Sequence, residues 1–455
     1  MQLDWDDLLK YLPLAVNTSE LPKLELKKLS IDSRNICPDS WYLPLVGERF
    51  DGHEFISDSL EKGALGFFYE EHYRNKIPKI GDKCGIAVKN TAHLLDILGK
   101  IARSYFDGPI IGITGSNGKT TVKEMTASIL SQEGKTLKTL GNKNNEIGVP
   151  LTLLKLEKSH KFAVIEMGAR RGGDIKHLCS IAQPSIVCIT NIGTAHLGVF
   201  GSKKELEKAK TEIFHEYTPK PIAICDLENK AVLTAAHNKS LKVTSYGPRG
   251  SEADYILKSS KKEDKGQTLV IETQEEELLV DLSCFHTYNS KNALLAVCLA
   301  KTAGAANSSI VEGLRSFSPP PGRFKIEKTK FGDLVDDCYN ANPESLQGGL
   351  LTLRELYPSQ EILLVLGDML ELGKGAERIH VNLIKNMKNL QPFRLLTVGE
   401  LSKKIETDAT SHSHFDSTDA LLSFFRKNPL YFKVIYVKGS NSIGLNKFIS
   451  YLKEE

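Results

Sequence analysis

At 455 residues, with 59 basic against 56 acidic side chains and a formal charge of +3, the chain is too long for one ordinary domain and too evenly charged to be built for nucleic acid or an anionic membrane. Hydrophobic residues make up 41% of it, yet no window reaches the roughly eighteen consecutive apolar residues that a membrane span needs. The acidic opening Met1-Gln2-Leu3-Asp4-Trp5-Asp6-Asp7 is unlike a secretory leader, and the eight cysteines lack CxxC spacing, so a cytoplasmic, monomeric protein with buried thiols is expected.

Residues 1 to about 100 mix short strands and helices. They carry two polar signatures, Ile31-Asp32-Ser33-Arg34 and Gly47-Glu48-Arg49-Phe50-Asp51-Gly52-His53, the second being either a phosphate-clasping loop or a solvated turn. A helix through Leu94, Leu95, Leu98, Ile101 and Ala102 leads to a boundary near 105. Strands are expected at 109–114, 135–140, 161–167, 185–190 and 221–225, alternating with helices, which argues a parallel sheet. Between about 240 and 285 extended, charge-alternating segments read as a β-rich excursion from that domain, followed by a long helix from Asn289 and a shorter one ending at Phe317. Ser318-Pro319-Pro320-Pro321-Gly322 is a stiff linker. Beyond it, strands 332–336, 361–366, 393–398 and 433–438 alternate with helices around 344–356, 376–389, 418–426 and 443–452, a second doubly wound unit. The expected fold is therefore α/β in three domains: a small α/β domain (1–105), a central P-loop parallel-sheet domain (106–317) and a C-terminal Rossmann-like domain (318–455).

The run from Pro109 to Thr121 has phosphate-loop anatomy. Gly115 and Gly118 allow a tight turn over Ser116 and Asn117 that aims N–H groups inward; Lys119 supplies a charge and Thr120, ahead of Thr121, a hydroxyl for Mg²⁺. Ile113 stands where the general Walker pattern has its first glycine. Glu166 closes an apolar strand, where a carboxylate is costly unless paired or metal-bound, so it is expected to bind magnesium. Asn191 closes the next such strand with His196 five residues on, and both are in reach of a metal at the loop. Helical spacing sets Lys210 among Leu206, Ala209, Ile213 and Phe214, while Lys204 and Lys208 point away; such a lysine either snorkels to water or is buried with a lowered pKa. In the last domain, Gly322-Arg323 and Asp336-Asp337-Cys338-Tyr339-Asn340-Ala341-Asn342-Pro343 form a polar cluster with no evident core role.

These motifs, with Gly141-Asn142-Lys143-Asn144-Asn145-Glu146-Ile147-Gly148, Glu166-Met167-Gly168-Ala169-Arg170 and Leu366-Gly367-Asp368-Met369, resemble in content and order the Mur ligases of bacterial peptidoglycan synthesis. The segments at 336–343 and 366–369 look most like the members that join D-alanyl-D-alanine to UDP-N-acetylmuramoyl-tripeptide with ATP and Mg²⁺. That resemblance implies nucleotide-sugar contacts at Asp32, Ser33, Arg34 and Arg49, and ATP at the 115–121 loop with Asn292, Arg323 and Asp337. It implies substrate contacts at Asn142, Asn145, Tyr339, Asn340 and Asn342, metal at Thr120, Glu166 and His196, and a carbamylated, metal-binding Lys210, with Lys119, Lys210 and His196 in the catalytic roles. Tyr288 stands where the family often has histidine, and Ile443-Gly444-Leu445-Asn446 departs from relatives that carry Met-Glu there. Another amide ligase of the same architecture, or a nucleotide-binding protein without chemistry, is the alternative.

Overall fold

The computed structural model describes the chain apart from residues 13–20, 78–82, 194–196, 216, 264–265, 391–392, 407–410 and 455. Its strands form three sheets. The first is wholly parallel, in the order β1 (Leu29–Ser30), β2 (Trp41–Tyr42), β3 (Gly66–Glu70), β4 (Cys84–Val88).

The second sheet has nine strands: β5 (Ile110–Thr114), β6 (Thr136–Lys138), β7 (Phe162–Glu166), β8 (Ile186–Ile189), β9 (Ile222–Asp226), β10 (Lys242–Pro248), β11 (Tyr255–Glu263), β12 (Gly266–Glu272) and β13 (Glu277–Leu282). Their spatial order is β13-β12-β11-β10-β9-β8-β5-β7-β6. All of β5 is buried, as a central parallel strand covered on both faces requires. It lies between β7 and β8, where the strand order reverses, so the loop that follows it opens into the crevice where such sheets bind ligands. The expected β-rich excursion is corrected here: β10 and β11 continue the same sheet in parallel and only β12 and β13 turn antiparallel. In β13 burial alternates residue by residue, which is how an edge strand with one wet face reads.

The third sheet runs β14-β15-β19-β16-β17-β18, from β14 (Lys325–Thr329), β15 (Gly332–Asp337), β16 (Ile362–Gly367), β17 (Phe393–Val398), β18 (His412–Phe415) and β19 (Val434–Lys438). Two helices differ from expectation. The stretch at 376–389 breaks into an α-helix Ala376–Asn382 and a 3₁₀ segment Lys385–Leu390 that is itself kinked at Met387 (φ −119°, ψ 20°), and Ile384, Met387 and Leu390 are all buried. The last helix begins at Asn446 rather than 443, because Gly444 takes φ +76° to end a short 3₁₀ turn.

One apolar core runs from Leu3, Trp5, Trp41 and Phe68 of the first sheet's unit, through Leu94, Leu98 and Ile101 of the helix Thr91–Ser104, to Ile165 and Val187 of the second sheet. The opposite face of that sheet packs on the helices Lys119–Glu133 and Tyr288–Thr302, and the third sheet has its own two cores. Between the central and C-terminal units the chain touches main chain to main chain: a Cβ on Gly198 or on Gly373 would collide with the Cα of the other. Six of the eight cysteines are buried and all are free; Cys37 is exposed and Cys84 half-buried. Among the described residues no helix is long and apolar enough to cross a membrane.

Candidate active site

After β5 the chain enters the phosphate loop. Gly115 has φ +142° and sits where a Cβ would collide with Thr190 Oγ1; Gly118, at φ +82°, caps the helix Lys119–Glu133 and lies under Asn292 Oδ1. Both positions therefore need glycine. Asn191 clamps the loop, accepting from the Asn117 N–H at 3.0 Å and donating to the Asn117 carbonyl at 2.9 Å. This corrects the expectation that Asn191 reaches a metal, since its amide is spent on main chain. Lys119 Nζ donates to the carbonyls of Gly115 (2.8 Å) and Ser116 (3.2 Å), and burial lowers its pKa.

At the end of β7, Glu166 is buried, accepting from the Thr120 hydroxyl at 3.0 Å and from Asn144 Nδ2 at 2.8 Å, with Lys123 Nζ 3.9 Å away. Thr120 also accepts from Arg323 Nη2 of the C-terminal unit at 3.2 Å. The Arg323 guanidinium stacks 3.9 Å from the centre of the Tyr339 ring. Ser116 Oγ, Thr114 Oγ1 and Arg323 Nε are buried without a hydrogen-bond partner in the protein. Of these, Ser116 and Arg323 line the cavity at the phosphate-loop mouth, where unsatisfied donors fit an anionic ligand with many oxygens, and the Thr120 hydroxyl beside the Glu166 carboxylate is an oxygen donor set suited to Mg²⁺.

Lys210 is 1% exposed on the helix Lys203–Thr211, which Ser202 caps through the Glu205 N–H. Burial, with the Lys119 charge adding to it, pulls its pKa down to about 7. Its amine is thus substantially neutral near pH 7, the form that adds CO₂. Lys204 and Lys208 are exposed, as the spacing requires.

In the C-terminal unit, β15 ends at Asp337 and β19 at Lys438, paired in register. Lys438 Nζ lies 2.5 Å from Asp337 Oδ2, which also accepts from the Tyr436 hydroxyl at 3.0 Å. Asp336 is buried too, accepting from the Gly322 N–H at 3.1 Å. The expectation of a cluster without core role is corrected: Asp337 ties the end of β15 to β19, and Asp336 holds the linker at Gly322. The alternation missed β14, whose burial is intermediate throughout most of its length.

A cavity of about 1060 Å³ lies between the two units. Of the residues singled out in the sequence, Ser116, Asn117, Gly118, Lys119, Thr120, Thr121, Glu166 and Lys210 line it from the loop side, with Asn142, Asn145 and Asn292. Arg323, Asp337, Tyr339, Asn340 and Asn342 line it from the other. Gly115, at the start of the loop, is not among the lining residues. Asp32, Ser33, Arg34 and Arg49 are not brought to this cavity. Asp32 instead pairs with Arg34 at 2.8 Å, which holds its carboxyl down at about 2, and Arg49 is exposed on the tight turn Gly47–Phe50. His196 falls outside the described residues.

Three lining or supporting residues were not assigned from sequence. Asn144 sits inside a motif whose other asparagines were chosen. Lys438 had a signal, a lysine ending an apolar strand opposite an aspartate ending another. His286 had none: it faces the cavity edge-on to Phe324 (4.7 Å between rings), its Nδ1 accepts from the Tyr288 N–H at 3.2 Å, and burial pushes its pKa down to about 4.

Two family models match the chain, the Mur ligase middle domain over residues 113–300 and the Mur ligase, glutamate ligase domain over 322–441. The UDP-N-acetylmuramoyl-tripeptide–D-alanyl-D-alanine ligase of Escherichia coli (strain K12) is 34% identical over 435 residues, 95% of this chain and 94% of that protein. The crystal structure of MurF from Acinetobacter baumannii superposes with a TM-score of 0.87 at 29% identity, covering 100% of this chain and 99% of the other. MurF ligase from Thermotoga maritima in complex with ADP gives 0.82 at 26% identity, over 95% and 98% of the two chains. From the phosphate loop to the paired strand ends of the third sheet, and along nearly its whole length, the chain belongs to the Mur ligase family, among its UDP-N-acetylmuramoyl-tripeptide–D-alanyl-D-alanine ligases.

Proposed function

We propose that the chain is an ATP-dependent amide ligase that joins D-alanyl-D-alanine to UDP-N-acetylmuramoyl-tripeptide, releasing ADP and phosphate, and that it acts as a monomer in the cytoplasm, where ATP and nucleotide-sugar precursors are found. One observation carries this reading: the phosphate loop with Glu166 and Lys210 faces Arg323 and Asp337 across a single cavity large enough for nucleotide and acceptor together. The tripeptide carboxylate attacks the γ-phosphorus of ATP, ADP leaves, and the amine of D-alanyl-D-alanine displaces phosphate from the acyl phosphate with loss of a proton.

The loop N–H groups of Gly115 to Thr121, Lys119 and Arg323 neutralise charge on the transferring phosphoryl group, which is where most of the rate gain lies. Thr120 and Glu166 would hold Mg²⁺, with His196 and a carbamylated Lys210 holding a second ion; bound there, the metal draws electron density from the phosphoryl oxygens. Desolvation favours the neutral Lys210 amine that carbamylation requires. Asn292 and Asp337 bind the nucleoside end, Asn142, Asn145, Tyr339, Asn340 and Asn342 the peptide and acceptor. Asp32, Ser33, Arg34 and Arg49 bind the nucleotide-sugar on the first sheet's unit. The division into units 1–105, 106–317 and 318–455 is supported by the three sheets.

The test is acceptor-dependent ADP release with UDP-N-acetylmuramoyl-tripeptide, comparing D-alanyl-D-alanine with single amino acids. Release with the dipeptide supports the reading; release only with a single amino acid, or none, overturns it.

A further inference from the structure

Asn117 is held by two different units at once. The central unit takes its backbone: Asn191 binds both its N–H and its carbonyl, and the Thr190 hydroxyl donates to that carbonyl at 2.5 Å. The C-terminal unit takes its side chain: Oδ1 accepts from Asn342 Nδ2 at 2.7 Å, and Nδ2 donates to Glu344 Oε2 at 3.4 Å.

Neither partner is a loose surface group. Asn342 caps the helix Pro343–Leu356, its Oδ1 accepting from the Ser345 N–H at 2.8 Å while Ser345 Oγ binds back to the Asn342 main chain. With the amide oxygen committed to the cap, the direction of its NH₂ is set by the helix. Glu344, in the first turn, packs against the central unit at the same point: a Cβ on Gly193 would stand 2.5 Å from its Oε2 and 3.4 Å from Asn117 Nδ2.

We propose that the first turn of the Pro343 helix, through Asn342 and Glu344, is a positioning element that sets the Asn117 amide, so that the phosphate loop takes its working shape only when the C-terminal unit is docked. This rests on the ligase reading and gives Asn342 a task besides substrate contact. It ties phosphoryl transfer to closure: an open enzyme binds ATP on a loop that lacks its last constraint.

The experiment is a double-mutant cycle on the full chain. Asn342→Ser keeps an acceptor for the helix cap and removes the amide donor; Asn117→Ala removes the other half; Gly193→Ala crowds Glu344 Oε2 where it meets the Asn117 amide. Each single change should lower kcat about tenfold while leaving KM for ATP and the thermal midpoint within error, and the Asn117→Ala/Asn342→Ser double should be no slower than the worse single. Independent losses multiplying to about a hundredfold in the double, a rise in KM for ATP at unchanged kcat, or no effect would overturn the proposal. If the wild type does not ligate the dipeptide, the ligase reading falls by itself. The coupling is then read by small-angle scattering, where ATP should compact the wild type and not Asn342→Ser; equal compaction overturns it.

Discussion

A lysine in an apolar interior costs several kcal/mol unless its charge is matched or given up, and among the described residues three lysines are at most 1% exposed. Lys123 is matched by the Thr139 carbonyl at 2.7 Å and Glu124 at 2.9 Å, and Lys438 by Asp337. Lys210 takes the other route, with its pKa down at about 7. Lys210→Ala should lower ligation on the order of 10²–10³-fold and recover in part with formate or acetate in steady-state ADP release; full activity without rescue would dismiss the carbamate. Lys119→Ala should reduce turnover by at least about 10³-fold in the same assay, and near-normal ligation would count against the phosphate-loop role. His286 gives a stability test. Its pKa is about 4 in the fold against an ordinary 6.5, so as pH falls the unfolded chain takes the proton first. The stability it contributes is complete above pH 6.5 and drains away between 6.5 and 4. Thermal melts across that window should steepen in the wild type relative to His286→Phe.

Between elements, β15 and β19 are joined by their parallel backbone ladder and, at their carboxyl ends, by the buried pair Asp337–Lys438. Lys438→Met should destabilise the C-terminal unit by about 3–5 kcal/mol because it strands the Asp337 charge, whereas Asp337→Asn combined with Lys438→Met should restore much of that; urea midpoints read both. What the sequence disclosed follows the same line. Strands buried on both faces, such as β5, β7 and β16, are largely apolar runs and were found nearly to the residue, and Glu166 does end β7 as its sequence position indicates. Edge strands were harder. β14 and β18 are only half-buried, so their apolar signal is diluted, and whether β10 to β13 leave the sheet or extend it depends on pairing partners that no local pattern encodes. The same limit hid His286, whose role comes from Phe324 and the cavity rather than from its neighbours in sequence, and it made Asn191 look like a metal-reaching group when a turn of chain had already claimed its amide.

For the whole molecule, the contrast between its two junctions decides what moves. The C-terminal unit meets the central one through Gly198 and Gly373, through Asn342 and Arg323, and across an open cavity. Gly198→Ala should wedge that seam, enlarging the radius of gyration in scattering with nucleotide bound and slowing ligation without lowering the thermal midpoint. The junction at 105 is of another kind, because the helix Thr91–Ser104 carries one continuous core from Trp41 to Val187. On the proposed reading, with the nucleotide-sugar anchored on the first unit, the precursor would be measured against a fixed ruler: each peptide residue spans at most about 3.6 Å, so one a residue short would leave its carboxylate out of range of the phosphoryl group, whatever the affinity of its anchor.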